Sequence, residues 1–176
     1  MQRAGLAFPT AVLVLTCLVV AACSEGVDVN EPGRGGRQYR PCRSADLALK
    51  RVANESRAET VTYRFENRGD FICMLAGHAG VALIGLDGRP LAVQVRTYGP
   101  SPEIARRGEP KVILRPGGAA KFRVIYPTPA PKAACRRFVK VTASAPGSDW
   151  GLDAADAADL CGDTIMVSTF WPDTGG

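Results

Sequence analysis

A chain of 176 residues is long enough for one domain with a terminal extension and too short for two cores of ordinary size. Hydrophobic residues at 46% and charged residues at 22% are the values of a globular chain, while 19 Gly and 13 Pro call for many turns and favour an all-β fold. The formal charge of +5 hides a split: residues 43–140 hold 18 Lys and Arg against 8 Asp and Glu, whereas residues 141–176 hold 6 Asp and no basic residue.

Residues 1–22 read as a signal peptide, with Met1-Gln2-Arg3 as a short positive start and an apolar run through Ala22. The run ends in Val20-Ala21-Ala22-Cys23, which resembles the lipobox of bacterial lipoproteins. That resemblance implies a diacylglyceryl group on the Cys23 thiol and cleavage just before it. The mature protein would then sit on the outer side of the cytoplasmic membrane without a spanning helix. One acyl chain binds marginally, at about 0.8 kcal/mol per buried CH₂, and two or more make the anchor stable. No other segment is long and apolar enough to span a bilayer. Residues 24–41, rich in Gly and charge, are expected to continue from Cys23 as a disordered tether.

The folded domain is expected over residues 42–172, with 173–176 as a tail. Leu47 and Leu49 alternate with Ala48 and Lys50 in a first strand, and Asn54-Glu55-Ser56-Arg57 makes the turn that follows. Asn54-Glu55-Ser56 also has the form of a glycosylation acceptor, but beside a lipobox it is read as a turn alone. Val61, Tyr63 and Phe65 then alternate with Thr62, Arg64 and Glu66, the period of a strand with one face in a core. Asn67-Arg68-Gly69-Asp70 ends this run, Asn and Gly being the residues that most readily take positive φ. Sequential strands joined in this way pair antiparallel, which sets Cys42 beside Cys73 and predicts a bridge between them.

Residues 81–86 form the next strand, closed by the hairpin turn Asp87-Gly88, with Leu91, Val93 and Val95 alternating on the return. Residues 98–110, with Pro100, Pro102, Gly108 and Pro110, read as a surface loop in which Ser101-Pro102-Glu103 can cap one helical turn. Residues 111–115 and 119–126 are strands around Pro116-Gly117-Gly118, meeting as a corner or a hairpin, with Phe122, Val124 and Tyr126 inward. Pro127, Pro129 and Pro131 bar a central strand. Phe138, Val139 and Val141 suit a buried strand ended by Pro146-Gly147, and residues 148–163 read as a long loop that Cys161 can pin back to Cys135. Closing such a loop is worth roughly 3 to 4 kcal/mol in the chain-entropy model. Residues 164–170 are the last strand, before Trp171-Pro172. Seven or eight short strands with regular turns predict an antiparallel β-sandwich. Four cysteines allow three pairings, and the sequence alone leaves the other two open.

With these residues laid out, the chain resembles the family catalogued as domain of unknown function 4232, found chiefly in actinobacterial envelope and secreted proteins. The resemblance covers most of residues 42–172. It rests on Cys42 before Leu47, on Asn67 and Gly69 followed by Cys73, Leu75 and Gly77, and on Val81 with Asp87-Gly88. Further along it rests on Leu114, Pro116-Gly117 and Ala119, then Cys135 and Cys161. It implies an immunoglobulin-like sandwich with paired cysteines and brings no activity with it. His78 and the acidic stretch before Cys161 depart from the pattern.

His78 is the single histidine, so no Ser-His-Asp or Cys-His arrangement exists without it, and bridged cysteines leave no thiolate. The chain therefore reads as non-enzymatic, with His78 in a turn. Met74, His78 and Met166 near Cys73 are soft ligands of the kind copper takes, but Met74 adjoins a disulfide and Met166 fills a strand. Asp149, Asp153, Asp156, Asp159 and Asp163 have the charge of a calcium loop without its D-x-[DN]-x-[DN]-G order, so they read as an exposed acidic turn, with Asp149 capping a short helix over 152–160. No metal or cofactor is expected. Arg106, Arg107, Lys111, Arg136 and Arg137 are candidates for a basic rim facing lipid headgroups or anionic wall polymer, and nothing points to nucleic acid. The loops 98–110 and 148–163 are the expected contact surfaces. The sequence thus describes a lipid-anchored envelope protein that binds an unknown envelope protein or an anionic polymer, with a metal-binding protein or a hydrolase as the alternatives.

Overall fold

A computed structural model describes residues 39–57, 59–99, 110–127 and 134–174. Among these residues the chain forms twelve strands and two 3-10 turns, Ser44–Asp46 and Ala53–Glu55. The strands are β1 (Arg40–Pro41), β2 (Leu47–Arg51), β3 (Thr60–Asn67), β4 (Cys73–Ala76), β5 (Gly80–Gly85), β6 (Gln94–Tyr98), β7 (Lys111–Leu114), β8 (Ala119–Ile125), β9 (Cys135–Ser144), β10 (Leu152–Cys161), β11 (Thr164–Ser168) and β12 (Trp171–Pro172). The larger sheet has the order β2-β3-β8-β11-β6, with β12 also paired to β8, and two three-stranded sheets, β1-β4-β7 and β10-β9-β5, complete an antiparallel β-sandwich.

The alternation read along β3 sets the core. Val61, Tyr63 and Phe65 are buried, and so are Phe122 and Val124 on the neighbouring β8. Their register is antiparallel, with Tyr63 opposite Phe122 and Phe65 opposite Ala120. The rings of Tyr63 and Phe65 lie 5.6 and 5.3 Å from that of Phe122, and Phe170 closes the group at 5.7 Å. Tyr126 meets Phe138 of β9 at 5.4 Å, a contact from the larger sheet to the facing one. Each such side chain carries roughly 1.5–3 kcal/mol of apolar burial. Both expected bridges form: Cys42–Cys73 joins the chain just after β1 to β4, and Cys135–Cys161 links directly opposed residues of β9 and β10.

Several sequence expectations are corrected. The segment read as a long loop after Ser148 is mostly β10, so Asp149 caps no helix there. Leu152, Ala154, Asp156, Ala158 and Leu160 are the more buried residues of this strand and Asp153, Ala155, Ala157 and Asp159 the exposed ones, which is the period of a strand. Val139 is 38% exposed rather than buried, because it falls where the register of β9 against β5 slips, in a bulge between Phe138 and Lys140. The hairpin at Asp87-Gly88 is short. After Leu91 donates its amide to the Leu83 carbonyl, the chain leaves β5 and enters the larger sheet as β6, parallel to β11. Val95 is consequently 42% exposed on an edge strand. A second parallel pair, β1 with β4, departs from the all-antiparallel expectation.

The strands around Pro116 lie in different sheets, so that turn is a corner. Gly69 is not among the positive-φ glycines, which among the described residues are Gly77, Gly88, Gly117, Gly147 and Gly162. The turn at Asn67 is made instead by its side chain, whose oxygen accepts the Gly69 amide at 3.0 Å. Of the loop expected over 98–110, Tyr98 instead ends β6, and residues 100–109 with the Ser101 cap lie outside the described residues, as do Pro129, Pro131, the signal peptide and Cys23.

Candidate functional site

The second 3-10 turn, Ala53–Glu55, folds back over the outer face of β3. Val52 donates its amide to the Thr62 carbonyl (2.8 Å), the Thr62 amide donates to Ser56 Oγ (3.2 Å), and Thr62 Oγ1 donates to the Glu55 carbonyl (3.2 Å). These bonds bury Thr62 completely although it stands on the outward side of the strand. Arg57 and Thr60 then close a tight turn, their backbones bonded at 2.7 and 3.2 Å. Between this arm and β8 lies a cleft of about 500 Å³ lined by Asn54, Glu55, Arg57, Thr60 and Arg123.

The charges in the cleft are unevenly committed. Glu55 accepts from Lys121 Nζ at 2.5 Å, and the same ammonium reaches Asp173 at 2.9 Å. These two carboxylates, Glu55 first, hold the Lys121 ammonium above the usual lysine range. Arg123 is held from below: its amide donates to Ser168 Oγ (2.8 Å), and its guanidinium lies 5.0 Å from the Trp171 ring centre. A guanidinium stacked on indole keeps its in-plane N–H groups available for an anion. Neither Arg57 nor Arg123 forms a salt bridge among the described residues. The cleft is therefore lined by two arginines and by a Glu55 carboxylate that is already paired with Lys121.

A second polar cluster is buried. The Tyr63 hydroxyl donates a very short bond to Asp156 Oδ2, and Arg51 Nε lies 3.4 Å from Asp156 Oδ1. Burial first, then the neighbouring Tyr126, then the bond to Asp156, push the Tyr63 phenol far above its ordinary pKa. Burial likewise raises Tyr126. A phenol held this firmly in its neutral form is neither a base nor a nucleophile at physiological pH. The cluster ties β10 to the edge of β2, a structural task.

The sequence-predicted residues are dispersed. Arg106 and Arg107 lie outside the described residues. Lys111 stands at the start of β7 opposite Ala76, in a different sheet from Arg136 and Arg137 on β9. Arg136 donates to the carbonyls of Ala92 (3.0 Å) and Gly162 (3.2 Å), and Arg137 pairs with Asp159 at 3.2 Å. Those two cations are occupied in the fold. Three of the aspartates lie along β10, with Asp149 before it and Asp163 after it: Asp153 bonds Lys140 and Thr142, which lower its pKa in that order, while Asp156 turns inward. Among the described residues no three His, Cys, Asp or Glu stand together as metal ligands. His78 pairs with Thr169 across a bridge, and its Nε2 lies 3.3 Å from the Tyr98 carbonyl oxygen. Met74 sits in β4 between Pro41 and Ile113, and Met166 in β11 opposite Ile125.

Sequence reading missed Arg57 and Arg123. The available signal was the placement of Arg57 in a turn directly before a strand and of Arg123 on the outward phase of the Phe122–Val124 alternation. A family model described as Domain of unknown function (DUF4232) matches residues 42–171. No curated protein and no solved structure matches the chain.

Proposed function

We propose, for a chain that belongs to the DUF4232 family and takes no activity from it, a function read from its own residues. It is a non-enzymatic lipoprotein of the cell envelope, held through a lipid on Cys23 on the outer side of the cytoplasmic membrane. Its domain binds an anionic group of a wall polymer in the cleft between Arg57 and Arg123. The observation that carries this reading is the pair of arginines lining one cleft while Glu55, the carboxylate beside them, is bound to Lys121. Anionic polymer would be recognised there by charge-assisted hydrogen bonds, which are stronger than neutral ones and weaken as salt screens the pair. Arg136 and Arg137, engaged elsewhere, take no part.

The reading is tested by co-sedimentation of the mature protein with isolated anionic wall polymer at low and high salt. Binding at low salt that falls at high salt is expected. The double substitution Arg57→Ala with Arg123→Ala should weaken it at least about tenfold, equivalent to ~1.4 kcal/mol, while Arg136→Ala with Arg137→Ala leaves it unchanged. Equal binding by the wild type and the Arg57/Arg123 variant would contradict the cleft.

A further inference from the structure

The first 3-10 turn, Ser44–Asp46, knits two exposed turns together at the end of the domain where the described chain begins. The Ser44 amide donates to Ser148 Oγ (3.2 Å), and the Ser44 hydroxyl accepts from the Ala145 amide (3.2 Å), which fixes the turn bearing Trp150. On the other side the Asp46 carbonyl accepts from the Arg68 and Gly69 amides, at 2.7 and 3.2 Å. Buried Asn67 continues the link, its Nδ2 donating to the carbonyls of Phe71 (2.8 Å) and Leu114 (3.1 Å). Trp150, Phe71 and Ile72 are thereby held on one end of the molecule, and they are 55%, 63% and 40% exposed.

Cations surround these rings. The Arg40 guanidinium lies 4.4 Å from the Phe71 ring centre, and Arg43, together with Arg115 just after β7, is exposed and in no salt bridge among the described residues. Asp46 is paired with Arg40 at 3.3 Å and Glu66 with Arg68 at 3.0 Å, and Asp70 and Asp149 are further carboxylates there. We propose that this end of the domain docks on the anionic headgroups of the bilayer, with Trp150 and Phe71 at headgroup level and Arg43 and Arg115 on lipid phosphates. The proposal rests on the lipid anchor at Cys23.

Two observations favour a bilayer over a protein. Exposed indole and phenyl rings interleaved with arginine match the membrane interface, where aromatic side chains and cations both find their preferred surroundings. The described residues also begin there: residues 24–38 separate Cys23 from Tyr39, so the anchor can lie no more than about 55 Å from Tyr39 even at full extension. Confinement at that range raises the effective concentration of lipid surface, so a weak contact suffices. Thr60 of the cleft and Asn67 of this end are the two ends of β3, roughly 23 Å apart along the strand. Docking by this end therefore points the cleft away from the membrane.

The test uses the two tryptophans of the chain, Trp150 and Trp171. Full-length lipidated protein carrying Trp171→Phe is placed in anionic phosphatidylglycerol vesicles containing brominated acyl chains, and flotation of the same sample reports the anchor. Quenching of Trp150 emission by more than half is expected, with little quenching of Trp171 in the Trp150→Phe protein. Phe71→Ser with Ile72→Ser should reduce the Trp150 quenching severalfold while flotation persists. Protein that floats with Trp150 unquenched overturns docking and leaves the anchor standing. Protein that does not float overturns the anchor and the docking with it. Trp150 shielded from acrylamide without vesicles, and unquenched with them, would assign this end to a second copy of the chain and overturn the proposal.

Discussion

Tyr63 is read from the sequence as one inward residue among three, and the structure gives it a second task. Its ring is core, while its hydroxyl meets the carboxylate of Asp156 from the facing sheet. Because the folded protein raises the pKa of Tyr63 above the ordinary value near 10, its contribution to stability is fully present below pH ~10. Above that pH the unfolded chain loses the proton and the folded chain keeps it, so stability falls by about 1.4 kcal/mol per pH unit for each such group. Tyr63→Phe should remove about that much from the slope of unfolding free energy against pH above ~10, with Tyr126 and Lys121 supplying what remains. Urea unfolding at a series of alkaline pH values measures this, and an unchanged slope would show that Tyr63 titrates normally. Asn67 was legible as a turn residue but not as a buried one. Turn chemistry is local and shows in sequence, whereas the carbonyls that its amide satisfies, those of Phe71 and Leu114, are set by packing.

The strand β10 shows where legibility stops among elements. Asp and Ala are depleted in strands, and Asp153, Asp156 and Asp159 recur every third residue, so local preference opposes the strand. What selects it is pairing with β9, helped by Lys140–Asp153 at 2.7 Å and Arg137–Asp159 at 3.2 Å. The inward series Leu152, Ala154, Ala158 and Leu160 was present in the sequence, and one inward aspartate masked it. An inward carboxylate on an edge strand also hinders docking of further strands there. Asp156→Ala leaves a buried phenol and an arginine without their acceptor, and it should cost about 2–4 kcal/mol and speed hydrogen exchange along β10. Asp153→Ala breaks only an exposed pair and should cost less than about 1 kcal/mol. Similar losses for both, in denaturant unfolding, would mean that Asp156 is no more than a surface residue. The strands β2, β3 and β8 were legible because an apolar face alternates with polar residues along them in the sequence. The departure of β6 to another sheet was not, since the residues that attract it lie in β11, seventy positions away.

At the scale of the whole molecule the basic body and acidic tail end of the sequence do not form two charged surfaces. Folding brings Asp153 to Lys140, Asp156 to Arg51, Asp159 to Arg137, and Asp173 to Arg64 and Lys121. Net charge is therefore a poor guide to a binding face, and the two faces proposed rest on position instead: Arg57 and Arg123 at one end of β3, aromatic side chains and arginines at the other. The proposed docking requires that the domain be tied to a membrane through the lipid proposed on Cys23. The measurement that tests this most directly is the mass of the N-terminal peptide of the mature protein purified from membranes. A peptide beginning at Cys23 and carrying a diacylglyceryl thioether is the expected result, and an unmodified N-terminus at any other residue would contradict it.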